Sequence, residues 1–131
     1  MFLDASAIIA ILAGEDDAAS LSARLARANT VHTSGMAIYE AAAGLARIGN
    51  ISPGDALELV NIFLADARAH VVPIERKTAE QAVDAFARFG KGCHPAGLNM
   101  GDCFAYACAR QVMAPLLCKG NDFPLTDIEL A

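Results

Sequence analysis

The sequence lacks a long apolar run and a positively charged start. A membrane-spanning helix needs about 20 apolar residues, and the longest uncharged stretch near the start, Ala5 to Gly14, is half that long. No Lys or Arg precedes it, and Asp4 lies where a signal peptide carries positive charge. We therefore expect no contact with a membrane, no signal peptide and a cytoplasmic location.

Paired cysteines and an excess of basic residues are missing as well. None of the four cysteines forms a C-x-x-C pair, which disfavours a zinc knuckle or a thioredoxin-like site; they are Cys93, Cys103, Cys108 and Cys118. In a cytosolic chain we expect them to be reduced and mostly buried. The net charge of −5 argues against general binding to nucleic acid. It still allows a small basic rim around a site, or a basic partner.

What the sequence does have is a large share of apolar residues in a chain of one-domain length. The 131 residues predict a single domain spanning residues 1–131. Hydrophobic residues make up 55% of them, and the mean hydropathy is +0.37. A parallel sheet covered on both faces would use such residues, and so would an apolar surface buried against a partner. We expect both.

Apolar and helical segments alternate along the chain, which predicts an α/β sandwich with a parallel sheet. The predicted strands are Met1–Leu3, Thr30–Thr33, Val71–Ile74 and Pro115–Cys118. The predicted helices are Ala5–Ala13, Glu15–Ala28, a helix capped by Ser34 that runs to about Ile48, one opened by Ser52 and Pro53 that runs to about Ala69, Arg76–Phe89 and Gly101–Val112. Gly90–Gly101 is a predicted loop, and the tail from Lys119 is loop plus a short final element.

Four acidic residues form a pattern along these elements. Asp4 and Asp122 follow the first and last strands, and Asp102 lies in the first turn of the last helix. Glu40 lies inside an apolar, alanine-rich helix that has little charged outer surface. Each also has a structural explanation: Asp4 and Asp102 as helix caps, Glu40 as a solvated residue and Asp122 as a turn residue.

Taken together, the acids predict a metal site. The carboxyl ends of parallel strands meet at one edge of the sheet, where sites form in open α/β folds. Carboxylates gathered there repel one another, and a divalent cation removes the repulsion. Mg²⁺, or Mn²⁺, prefers oxygen ligands. One or two such ions can activate water and stabilise charge on a phosphodiester.

Four segments resemble the PIN-domain ribonucleases, in particular VapC toxins of type II toxin–antitoxin modules. They are "LDASAIIAIL", "SGMAIYEAAAGLARI", "LNMGDCFAYACARQ" and "PLLCKGNDF", and the resemblance runs nearly end to end. It implies a three-layer α/β/α sandwich with a parallel sheet of four or five strands. It implies a Mg²⁺-dependent endoribonuclease that cuts RNA, slows translation and is held inactive by a VapB-like antitoxin. It also implies a homodimer, which toxin and antitoxin could extend into a larger assembly.

The resemblance also implies which residues form the site. Asp4, Glu40 and Asp102 match the first three acids of the family, and Ser6 matches the hydroxyl position beside the first. Asp4 and Asp102 are expected to hold the metal most directly, with Glu40 acting through a water or on the nucleophile. The fourth position departs from the family, which often has Thr-x-Asp there. A gap-free match of "CKGNDF" puts Gly120 on that Asp, so either Asp122 or Asn121 completes the site.

Lys119, Lys91 and Arg110 are candidate RNA-binding residues because they lie near the acids in sequence. Taken singly, each is better explained as an ordinary solvated surface charge. A dehalogenase-like phosphatase is disfavoured, since its D-x-D motif would need an acid where Ser6 stands. The alternative outside enzymes is a PIN-like binding or scaffold module with weak catalysis, against which the three matched acids argue.

Overall fold

The computed structural model describes residues 1–131 and has a four-stranded parallel sheet at its centre. The strands are β1 (Phe2–Leu3), β2 (His32–Ser34), β3 (His70–Val72) and β4 (Leu116–Leu117), in the spatial order β3-β2-β1-β4. All three pairings between neighbouring strands are parallel. The predicted α/β fold with a four- to five-stranded parallel sheet is confirmed.

Six helices connect and cover the strands. They are α1 (Ala5–Ala13), α2 (Ala18–Leu25), α3 (Gly35–Gly49), α4 (Pro53–Asp66), α5 (Arg76–Phe89) and α6 (Met100–Gln111), and a 3₁₀ turn follows at Phe123–Leu125. None of these helices combines the length and the apolar character that crossing a bilayer requires.

The two residues of β1 show why the chain needs so many apolar side chains. Phe2 and Leu3 are both fully buried, but they belong to different cores. Phe2 packs with residues of α5 and α6, whereas Leu3 packs with residues of α1, α3 and α4. The sheet is therefore covered on both faces, which accounts for strands that are apolar throughout.

Serine and proline set several helix starts as predicted. The Ser34 side chain accepts a hydrogen bond from the Ala37 amide and caps α3. The Ser52 side chain accepts one from the Asp55 amide and caps α4, with Pro53 at the first helical position. Side-chain caps of this kind satisfy amides that the helix itself leaves free.

Two predicted helices are too long. The helix predicted over Glu15–Ala28 spans only Ala18–Leu25, because the chain makes a turn before it, in which the Ala18 amide donates to the Glu15 carbonyl (2.9 Å). The α4 helix ends at Asp66 rather than near Ala69, and Arg68 just beyond it also has a positive φ of 50°. A turn in the first case, and a left-handed residue in the second, interrupts a pattern that apolar periodicity alone would continue.

The carboxyl-terminal tail adds a short rung beside β4. Leu116 donates a backbone hydrogen bond to the Glu129 carbonyl (2.8 Å) and accepts one from the Ala131 amide (2.9 Å). Leu116 and Leu130 form a parallel bridge. The outer edge of β4 is thus paired by the end of the chain.

Asp127 fastens this tail to the helices. Its Oδ1 accepts a hydrogen bond from the Tyr106 hydroxyl of α6 (2.6 Å), and its Oδ2 accepts one from Arg88 Nη2 of α5 (2.5 Å). Arg88 Nη1 also donates to the Tyr106 hydroxyl (3.3 Å). One carboxylate therefore joins three separate parts of the chain.

We expect Asp127→Asn to lower the free energy of unfolding by about 1 kcal/mol, because it weakens two charge-assisted bonds at a half-exposed position. Urea unfolding at pH 7 measures the loss. Asp84→Asn is the matched control, since Asp84 meets the same Arg88 only at 3.6 Å across one exposed helical turn. Equal losses in the two variants would contradict the role given to Asp127.

Candidate active site

Asp4 lies at the carboxyl end of β1 and also begins α1. Its side chain is 4% exposed. Its Oδ2 accepts hydrogen bonds from the Ser6 amide (3.0 Å) and the Ser6 hydroxyl (2.5 Å), so the carboxylate is the N-cap of α1. Because both of these bonds end on one oxygen, the capping role leaves Oδ1 for another partner.

Ser6 ties this carboxylate to the neighbouring strand. The Ser6 hydroxyl donates to Asp4 and accepts a hydrogen bond from the Lys119 backbone amide (2.9 Å), just beyond β4. The Asp4 amide in turn donates to the Leu117 carbonyl (3.0 Å). These bonds hold the ends of β1 and β4 together beside Asp4, at the carboxyl ends of the strands.

Asp102 enters the same region from the start of α6. Its Oδ2 accepts a hydrogen bond from the Asn99 amide (2.8 Å), while the Asn99 side chain accepts one from the Asp102 amide (3.0 Å). This reciprocal capping box holds the Asp102 carboxylate at the helix N-terminus. The helix dipole favours a negative charge there.

Glu40 reaches the start of α6 from α3, and a glycine makes room for it. A Cβ atom on residue 101 would collide with both carboxylate oxygens of Glu40, whereas Gly101 leaves that space free. The side chain of Glu40 is partly buried, beside the buried residues Ala37 and Ala41 of its own helix. Close approach of backbone to a functional group is one of the few places where only glycine fits.

Burial raises the pKa of all three carboxyl groups, and neighbouring charges raise those of Glu40 and Asp102 further. Burial is the main reason that the pKa of Asp4 lies above its ordinary value. Burial, and then the charges of Asp4 and Asp102, raise the pKa of Glu40 to about 7. Burial raises the pKa of Asp102 to about 6 despite the bond from Asn99, and the charges of Asp4 and Asp122 add to the rise. The charge effects on Glu40 and Asp102 indicate that both lie near Asp4.

The end of β4 faces the same group of acids. Burial raises the pKa of the Cys118 thiol to about 12, and the charges of Asp4, Asp102 and Asp122 contribute. Asp122 itself is exposed and lies just before the 3₁₀ turn, and Asn121 beside it is exposed as well. Of the two candidates for the fourth position, Asp122 is the one whose charge acts on Asp102.

Lys119 lies at the site, but its ammonium group is already engaged. It forms ion pairs with Glu15 and with Asp17 (3.2 Å), both in the turn that follows α1. These contacts raise the pKa of Lys119. The two acids add to the negative charge around the site, and the lysine partly neutralises them.

Neither of the other two candidate RNA-binding residues forms an ion pair with these acids. Lys91 is exposed at the start of the Gly90–Leu98 bridge, with its amide bonded to the Leu98 carbonyl. Arg110 lies in the last turn of α6, two turns from Asp102, and its charge acts on Tyr106 and Asp127. The structure does not bring Arg110 to the acids.

The donor set fits a hard divalent cation bound partly through water. It consists of carboxylate oxygens, which Mg²⁺ and Mn²⁺ prefer, and it carries a repulsion that a cation would relieve. No three His, Cys, Asp or Glu side chains converge closely enough to hold an ion between them. Mg²⁺ does not need such a cage, because it commonly takes one or two protein carboxylates and keeps several waters.

Sequence reasoning missed two contributors to this site. Gly101 was visible as the residue before Asp102, and a glycine beside a candidate ligand is a signal of close backbone approach. Glu15 and Asp17 lie at the start of the helix predicted over Glu15–Ala28. Only the fold shows that the turn carrying them meets Lys119.

We expect Glu40→Gln to stabilise the metal-free protein at high pH. The folded-state pKa of Glu40 is raised, so its stabilising contribution is complete below about pH 4.5 and is lost as the pH rises through about 7. Glu40 is only partly buried and solvent screens its repulsion, so we expect a gain of about 1–2 kcal/mol at pH 8 and none at pH 4.5.

Urea unfolding in EDTA across this pH range measures the effect, with Glu58→Gln on an exposed part of α4 as the control. If the difference between wild type and Glu40→Gln did not change with pH, Glu40 would not share charge repulsion with Asp4 and Asp102.

Comparison with known proteins identifies the family of this chain. The PIN domain family matches residues 1–129. A VapC ribonuclease of Rhizobium meliloti is 41% identical over 139 residues, covering 97% of this chain and 98% of the relative. Ribonuclease VapC28 of Mycobacterium tuberculosis is 41% identical over 132 residues, covering 100% of this chain and 97% of the relative.

A solved structure shares the fold. The crystal structure of Mycobacterium tuberculosis VapC20, described as a Sarcin-Ricin loop cleaving toxin, superposes with a TM-score of 0.77 over 99% of this chain and 97% of its own, at 16% identity. The family match spans nearly the full length of the chain, and both relatives are 41% identical to it. The chain therefore belongs to the PIN-domain family, among its VapC ribonucleases.

Proposed function

We propose that this chain is a Mg²⁺-dependent endoribonuclease toxin that cleaves RNA and thereby inhibits translation. The observation that carries the proposal is the group formed by Asp4, Glu40 and Asp102, whose burial and mutual repulsion hold the pKa of Glu40 at about 7. Such a group is costly for the folded protein unless a cation neutralises it. The similarity to VapC ribonucleases supports RNA as the substrate.

Each residue has a distinct part in this proposal. Asp4, through Oδ1, and Asp102 would hold Mg²⁺, with Mn²⁺ as a substitute. When bound, the ion supplies positive charge at the scissile phosphodiester and lowers the pKa of water. Glu40 has a pKa near neutrality, which suits a group that takes a proton from attacking water. Ser6 positions Asp4 through its two hydrogen bonds.

Asp122 is our choice for the fourth acidic position, with Asn121 as the less favoured candidate. Its charge reaches Asp102 and Cys118, and it is exposed at the mouth of the site. An exposed carboxylate there can receive a water that is shared with the ion.

The negative surroundings bear on how RNA is bound. Lys119 is paired with Glu15 and Asp17, so an RNA phosphate has to compete with these acids for the ammonium group. The metal would then be the principal positive charge that meets the phosphodiester. Lys91 remains a candidate for contacts farther along the RNA, while Arg110 would reach only RNA that extends to the opposite end of α6.

The proposal includes partners. By analogy with VapC proteins, we propose a VapB-like antitoxin that neutralises the activity, and a homodimer that toxin and antitoxin could extend into a larger assembly. Exposed apolar residues on α3, α4 and α5, such as Tyr39, Ile62 and Phe86, offer surface for such contacts.

Asp4→Asn should lower RNA cleavage by about 100-fold or more, because it removes the charge of a proposed metal ligand while keeping its size. The measurement uses purified chain on a panel of structured RNAs that includes the Sarcin-Ricin loop, with Mg²⁺, Mn²⁺ or EDTA. Asp66→Asn, at the exposed end of α4, is the control and should cleave like wild type. Full cleavage in EDTA, or by Asp4→Asn, would refute metal-dependent cleavage and favour the scaffold alternative.

Gly101→Ala should lower the cleavage rate while the protein remains folded, since the added methyl group displaces the Glu40 carboxylate. We expect a loss of about tenfold or more, as for other residues that position catalytic groups. Gly35→Ala is the matched control, because Gly35 also lies in the first turn of a helix but has open space around its Cβ position. An equal effect of both substitutions would mean that helix chemistry, not Glu40, accounts for the loss.

A further inference from the structure

Two of the three histidines of this chain face each other across neighbouring strands. His32 is the first residue of β2 and His70 the first residue of β3, and the strands pair in register at these residues. Residues paired in this way point to the same face of the sheet. Because all strands are parallel, the pair lies at the amino ends of the strands, opposite to the carboxylates that follow β1 and β4.

The spacing of the two rings suits one shared ion. Their centroids are 5.8 Å apart and their planes are tilted by 40°. Two imidazoles that bind one tetrahedral ion place their ring centres about 5 Å apart, since each metal–nitrogen bond is about 2.1 Å. A small rotation about the side-chain torsions would therefore bring one nitrogen of each ring to a common ion.

One of the two histidine rings is half-buried and the other is exposed. His32 is half-buried in β2, next to β1, whereas His70 is exposed on β3, which is the edge strand of the sheet. Burial, then the positive amino terminus and His70, lowers the pKa of His32. A neutral imidazole is the form that binds metal, so this ring is ready to act as a ligand at neutral pH.

We propose that His32 and His70 form a second metal site, which takes a divalent transition ion of the Zn²⁺ or Ni²⁺ class and completes its shell with water. Imidazole nitrogen suits these ions, whereas carboxylate oxygen suits Mg²⁺ and Mn²⁺. The two ends of the sheet therefore select different metals. An ion bound here joins the edge strand β3 to β2 and stabilises the folded state by mass action.

The full chain, titrated calorimetrically with Ni²⁺ and then with Zn²⁺, tests the proposal. Excess Mg²⁺ is present throughout to occupy the carboxylates, together with a reductant that keeps the thiols reduced. We expect one ion per chain in wild type. In His70→Ala the affinity for the ion should be at least tenfold weaker, because losing a metal ligand lowers the affinity at least as much as losing a residue that hydrogen-bonds to a ligand. His70 is exposed, so this variant is expected to fold.

His94→Ala is the matched control. It removes the remaining histidine, which lies in the loop beside Cys93 and accepts a hydrogen bond from the Ala96 amide through Nδ1 (3.1 Å). It should bind Ni²⁺ like wild type. The ion should also raise the Tm of wild type and of His94→Ala but not that of His70→Ala.

Three results would overturn the proposal: no Ni²⁺ or Zn²⁺ bound by wild type, unchanged affinity in His70→Ala, or lost affinity in His94→Ala. A further variant separates this site from the proposed catalytic one. Asp4→Asn should keep the Ni²⁺ affinity of wild type, and loss of that affinity in Asp4→Asn would assign the ion to the carboxylates and refute the histidine site.

Discussion

Asp4, Glu40 and Asp102 are held close enough to repel one another, and the rest of the fold keeps them in place against that repulsion. Hydrogen bonds from Ser6 hold Asp4, and the reciprocal bonds with Asn99 hold Asp102. Glu40 lies on a helix whose inner face is buried, against a glycine that leaves it space. Two cores, one on each face of the sheet, supply the apolar burial that offsets the electrostatic cost.

The structural and functional explanations of these acids turn out to be compatible. Asp4 caps α1 with one carboxylate oxygen and so leaves the other for a ligand. Asp102 is part of a capping box, and the charge of Asp4 still raises its pKa. A helix N-terminus orients a carboxylate and favours its charge, so the capping role would also orient both residues as the proposed metal ligands. For such residues, capping a helix and binding a ligand do not exclude each other.

Local signals predicted much of the fold. Ser34, Ser52 and Pro53 set helix starts through their own side chains, and α5 has the predicted bounds. The placement of Asp4 and Asp102 followed from strand and helix ends, which short-range patterns reveal. The errors lie at helix ends, where the turn before α2 or the left-handed residue Arg68 after α4 interrupts an apolar pattern.

Contacts between distant parts of the chain could not be predicted in the same way. Arg110 is near Asp102 in sequence, but a helix carries it to the far end of α6. Lys119 is near the acids both in sequence and in space, yet its partners come from the turn after α1. The His32–His70 pair depends on strand register, which the sequence of either strand alone does not specify.

The bond between the Ser6 hydroxyl and the Lys119 amide spans 113 positions of the chain. It also lies beside β1, which sits between β2 and β4 in the middle of the sheet. The first strand to be synthesised therefore gains one of its two neighbours only when the last strand has been made. A nascent chain consequently carries Asp4 long before it has the strand that holds Asp4 in place. Contacts of such long range form late and slowly. The order of synthesis therefore delays assembly of the site until residue 119 has emerged from the ribosome, and a partly made chain cannot have a formed nuclease centre.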